Sequence, residues 1–99
     1  MRKLTFEELF LLPDGTSLIV NQYREGKHWN NYKGKKKYSS DIILGKTVSI
    51  DVSTGSVAHS LNLNRFFMGE TNDDLRIEVY EVFVEEPKPS TAPQPPQSL

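Results

Sequence analysis

Between Thr47 and Leu63 polar and apolar residues alternate almost without a break, and this period of two restricts the fold more than any other feature. Val48, Ile50 and Val52 alternate with Thr47, Ser49, Asp51 and Ser53. The stretch Ser53-Thr54-Gly55-Ser56 interrupts them, and Val57, His59, Leu61 and Leu63 resume the pattern. Successive side chains of a strand point to opposite faces, so alternation marks a strand with one wet and one dry face. Two such runs around a short Ser/Thr/Gly stretch predict an antiparallel hairpin.

The rest of the chain is punctuated in the same way. Thr16 to Tyr23 reads as a strand, Arg24-Glu25-Gly26-Lys27 as a hairpin loop with the glycine at positive φ, and His28 to Tyr32 as the return strand. Lys33-Gly34-Lys35-Lys36-Lys37 reads as a basic loop, and Asp41 to Leu44 as a short apolar run closed by Gly45. Leu75 to Val84 is expected to be the longest strand. Its apolar face switches between Val79 and Tyr80, which predicts a bulge or sharp bend near residues 79–81.

The N-terminal end follows a different rule. Thr5-Phe6-Glu7-Glu8 fits a capping box, with Leu4 and Leu9 placed as a hydrophobic staple. Pro13 disfavours helical geometry at Leu12, so the spacing predicts a two-turn helix over residues 6–11. Phe6, Leu9 and Phe10 fall on one face of it. Asp14-Gly15 is then a turn. Together these elements predict a mainly β (α+β) fold: a small five- to six-stranded antiparallel barrel or bent sheet with one short N-terminal helix. Residues 1–86 are expected to form a single domain. Residues 87–99 hold five of the six prolines and read as a disordered, flexible Pro-rich tail. Its Pro93-Gln94-Pro95-Pro96 matches a P-x-x-P pattern but lacks a well-placed basic neighbour.

Several function classes find little support. There is no cysteine, hence no disulfide and no thiolate metal site. The two histidines have no partners at metal-ligand spacing, and His59, on the apolar face of its run, is expected in the core. Gly45-Lys46-Thr47 looks like the end of a P-loop, but Ser40 stands where the motif needs glycine and a strand follows. No G-x-S-x-G or local Ser/His/Asp arrangement is present. The expectation is a protein that is not an enzyme and needs no cofactor or metal. Met1-Arg2-Lys3-Leu4 followed by Glu7 and Glu8 does not read as a signal peptide. No apolar run approaches the ~18 residues needed to span a bilayer. The chain is therefore expected in the cytoplasm.

Charge is small in sum and uneven in place. The net charge is −1. Residues 24–37 carry Arg24, Lys27, Lys33, Lys35, Lys36 and Lys37 against Glu25, and residues 70–86 carry seven acids against Arg76. The two segments are expected to neutralise each other in part. Within the basic one, Lys27, Trp29, Asn30, Tyr32, Lys33, Lys35, Lys36 and Lys37 form the candidate ligand-binding set. Lysines attract phosphate, aromatic rings stack on bases, and Asn amides match base edges. The reading is a non-enzymatic binding protein for nucleic acid or a phosphate-bearing nucleotide. The alternative is a protein-interaction module that docks a partner or a second copy, including a homo-oligomer paired through Leu75–Val84.

Leu4-Thr5-Phe6-Glu7-Glu8-Leu9 followed by Leu12-Pro13-Asp14-Gly15-Thr16 is similar to the start of many small uncharacterised phage and prophage proteins. In those, a short helix and a Leu-Pro-x-Gly-Thr turn lead into the first strand of a small barrel. The resemblance implies a virus or mobile-element origin and residence in the host cytoplasm. It also implies action by binding, as an inhibitor of a host protein, a cover for nucleic acid or a trap for a nucleotide signal. It covers about sixteen residues and carries over no site residue.

Overall fold

The computed structural model describes residues 2–43, 45–71, 73, 74 and 76–85, and the expected tail 87–99 lies outside them. One short helix, α1 (Phe6–Leu11), precedes five strands: β1 (Ser17–Arg24), β2 (Lys27–Ile42), β3 (Gly45–Thr54), β4 (Val57–Leu63) and β5 (Val79–Val84). All pairings are antiparallel, in the order β4-β3-β2-β1-β5. The fold is thus the expected mainly β one, a five-stranded sheet that does not close into a barrel.

Local chemistry explains the connections. Glu25 and Gly26 both have positive φ, +54° and +76°, as a two-residue type I′ hairpin requires between β1 and β2. Between β3 and β4 the two turn residues are Gly55 and Ser56, with Thr54 paired to Val57. The capping box of α1 forms as expected. Glu8 N–H donates to Thr5 Oγ1 at 3.2 Å, and Thr5 N–H donates to Glu8 Oε1 at 2.9 Å. Arg2 donates to the same carboxylate at 2.7 Å. These bonds hold the Glu8 carboxyl down at about 2, the Arg2 contact first.

One face of the sheet, here the inner face, is dry beneath α1. Leu18, Val20, Val48, Ile50, Val52, Leu63 and Val82 point there and are buried against Leu4, Phe6, Leu9 and Met68. Burying each large apolar side chain contributes about 1.5–3 kcal/mol. β5 is an edge strand, but its outer side is partly occupied. Leu4 N–H donates to Val82 O at 2.8 Å, and Tyr80 N–H donates to Phe67 O at 2.7 Å.

Three expectations are corrected. Lys33–Lys37 is not a loop: it lies inside β2, a single 16-residue strand that also takes in Asp41 and Ile42, the first two residues of the expected apolar run. Alternation places Lys33 and Lys35 on the open outer face. Lys36 points inward, buried, and its Nζ donates to Phe10 O and Leu12 O at 2.7 and 2.5 Å, closing the C-terminal end of α1. The last strand begins at Val79; ahead of it Ile77 N–H donates to Asp74 O at 3.1 Å instead of to a neighbouring strand, and Leu75, where the strand was expected to start, lies outside the described residues. No bulge is therefore needed near residues 79–81, and the β1–β5 register is unbroken. His59 is exposed on the edge strand β4, where it meets Tyr32 edge-on at 5.9 Å.

Candidate functional site at the β1–β2 hairpin

Beyond the reach of α1, the inner face changes character. Towards the β1–β2 turn its positions are filled by Gln22, Asn30, Tyr32 and Tyr80 instead of aliphatic side chains. In the register, Gln22 sits between Asn30 of β2 and Tyr80 of β5. Gln22, Tyr32 and Tyr80 are buried. Buried polar groups are stable only when bonded, and these are bonded to one another. Asn30 Nδ2 donates to Gln22 Oε1 at 2.9 Å and to Tyr32 Oη at 3.1 Å, and Tyr32 Oη donates to Gln22 Oε1 at 3.1 Å. On the other side Gln22 Nε2 donates to Glu78 Oε2 and, at 3.4 Å, to Tyr80 Oη. Tyr80 Oη donates to Glu78 Oε2 at 3.4 Å.

Glu78 ends this network and begins the exposed part of the site. Arg24 donates to Glu78 Oε2 at 3.2 Å, and its guanidinium lies 4.5 Å from the ring centre of Trp29. Burial pushes the Tyr80 phenol up to about 12, and the neighbouring Glu78 charge adds to the effect. Tyr80 is therefore a neutral donor at any physiological pH.

Trp29 owes its position to a bulge. Gln22 pairs with Asn30 and Tyr23 pairs with His28, so Trp29 is the extra residue of the ladder. A bulge re-aims a side chain that alternation would otherwise fix. The indole stays 55% exposed, at the side of a cleft of about 260 Å³ lined by Arg24, Glu25, Lys27 and Trp29. A second bulge leaves Lys37 as the extra residue opposite β3.

The eight sequence candidates therefore divide by position. Lys27 and Trp29 flank the cleft. Asn30 and Tyr32 belong to the network beneath it. Lys33 and Lys35 occupy the outer face, where Lys33 pairs with Glu85 at 3.6 Å. Lys37 is exposed at its bulge. Lys36 is turned under α1 and unavailable to a ligand, since both bonds of its ammonium go to helix carbonyls. Gln22, Arg24, Glu78 and Tyr80 complete the site and were not among the candidates. Arg24 and Glu78 stood out only as members of opposite charge runs. Those runs meet because β2 and β5 flank β1.

A larger cleft of about 370 Å³ includes Lys46, Thr47, Asn64 and Arg65. Its cations are already engaged. Arg65 donates to Glu7 at 2.9 Å and to Glu70 at 3.0 Å, and Lys46 lies 5.1 Å from the Phe10 ring centre. Among the described residues no cluster of three or more His, Asp or Glu is placed to hold a metal ion, and no helix is long and apolar enough to cross a membrane. Comparison with protein-family models, curated proteins and solved structures finds no match for this chain.

Proposed function

We propose that the protein is a non-enzymatic binding protein that takes a single-stranded nucleic acid or a phosphate-bearing nucleotide on the β1–β2 hairpin. The observation that carries this reading is Trp29 itself. A bulge lifts a large aromatic ring out of the ladder, Arg24 braces it, and Lys27 stands beside it at an open cleft. A base stacks on the indole, and its phosphate meets Lys27. Lys33, Lys35 and Lys37 along the same strand supply the longer-range attraction that draws in a polyanion. The network behind Trp29 keeps this surface in one shape, since Gln22, Glu78 and Arg24 are each held by more than one partner or contact. Glu78 and Glu25 temper the local field, so stacking contributes more here than charge.

Trp29 is the sole tryptophan, so intrinsic fluorescence reads the site directly. A short single-stranded oligonucleotide, and separately a mononucleotide, are titrated into the protein. Saturable quenching that weakens with added salt is expected. Trp29→Leu is expected to reduce affinity by about 5- to 150-fold, measured by anisotropy of a labelled probe, the equivalent of one stacked base. Quenching by the oligonucleotide alone identifies a polymer site, and quenching by both identifies a nucleotide site. No quenching and no anisotropy change in either arm overturns the reading.

A further inference from the structure

We propose that the free edge of β4 is a homodimer interface, at which two copies pair antiparallel about a two-fold axis through Ser60 and join their sheets. The two edges of the sheet are not alike. β5 has its outer side bridged by Leu4 and by Phe67. Among the described residues no backbone bond reaches Val57–Leu63 from outside its ladder with β3. Natural edge strands avoid association through lysine, proline, inward charges or cover. β4 reads Val-Ala-His-Ser-Leu-Asn-Leu, with no lysine, arginine, acid or proline.

The occupant is a second copy because the strand is complementary to itself. Thr54 and Val57 close a two-residue turn, so they form a hydrogen-bonded pair. Val57, His59, Leu61 and Leu63 then bond inward to β3, and Ala58, Ser60 and Asn62 turn their N–H and C=O groups outward. Antiparallel pairing centred on Ser60 sets Ala58 of one copy against Asn62 of the other, and Val57 against Leu63. His59 faces Leu61. Every residue meets one from its own face of the sheet, and no charge meets its like. Val57, left 51% exposed in the single chain, gains an apolar neighbour. A two-fold interface of this kind closes and does not propagate. The proposal does not rest on the ligand read at the β1–β2 hairpin, which β3 separates from this edge.

Light scattering coupled to size exclusion tests it on the full chain. The expected mass is twice 11.3 kDa at high concentration, falling towards the single-chain value on dilution. Ala58 and Asn62 are both exposed, so substitutions there preserve the circular dichroism spectrum. The double variant A58K/N62K places lysine against lysine at both ends of the interface and is expected to be a single chain throughout. The variant A58K/N62E places lysine against glutamate and is expected to dimerise again. A parent that stays a single chain at every concentration overturns the proposal. So does a dimer that survives A58K/N62K, or one lost equally in A58K/N62E.

Discussion

At the scale of single residues, the most informative positions are those that alternation alone does not place. Gly34 is one. A Cβ built on it would lie 2.0 Å from Asp51 O and 2.8 Å from Val52 Cα, so β2 and β3 approach here too closely for any side chain. Gly34→Ala is expected to lower stability by about 1–3 kcal/mol or more, since the clash is with backbone and cannot relax by rotation. Urea unfolding measures it; a variant as stable as the parent would contradict the close approach. Tyr80 is another. Its folded pKa of about 12 lies above the ordinary value near 10. The unfolded chain releases this proton first, so stability is retained below pH 10 and lost as pH rises through 12. Absorbance titration of the four tyrosines should show a late phase near pH 12 that Tyr80→Phe removes. Neither role is readable from the sequence. Gly34 sits in a lysine run that resembles a loop, and Gln22, the buried partner of Tyr80, lies 58 residues away in sequence.

At the scale of elements, whatever was local was legible. The capping box names α1 from four residues, and the hairpin of β3 and β4 follows from alternation and one Ser/Thr/Gly stretch. The basic run inside β2 was not legible, because its explanation is tertiary. Lys33 and Lys35 are tolerated in a strand since their face is solvated. Lys36 is tolerated inward since the end of α1 presents carbonyls to it. The strand expected from Leu75 was too long for the opposite reason: the apolar alternation runs on through Ile77, whose N–H is bonded to Asp74 O and not to a sheet partner. The helix cap makes a pH prediction. The Glu8 carboxyl, at about 2 when folded, lies below the ordinary carboxyl value, so its contribution is present above pH ~4.5 and lost as pH falls towards 2. Melting temperature followed from pH 6 to pH 2 should fall more steeply for the parent than for Glu8→Ala, with the two curves converging at the acid end. Parallel curves would mean that the cap does not stabilise the charged form.

At the scale of the whole molecule, an open sheet has one apolar half-face, and α1 with the segment around Met68 covers it. The polar half, with Gln22, Tyr32 and Tyr80, continues the same strands and has no apolar core of its own. The geometry of the hairpin site should therefore depend on a core assembled at the other end of the sheet. Phe6 tests this, because it is fully buried and belongs to α1, outside the β1–β2 ladder. Phe6→Ala should cost about 3–5 kcal/mol, a large part of the 5–15 kcal/mol typical of small domains. If the sheet is one cooperative unit, Trp29 fluorescence and far-UV circular dichroism must report the same shifted unfolding midpoint. A Trp29 transition left at the parent's midpoint would mean that β1 and β2 hold their hairpin without the core. The strand order argues for coincidence, since β1 and β2 lie inside the sheet and carry Leu18, Val20 and Tyr32 into the common buried cluster.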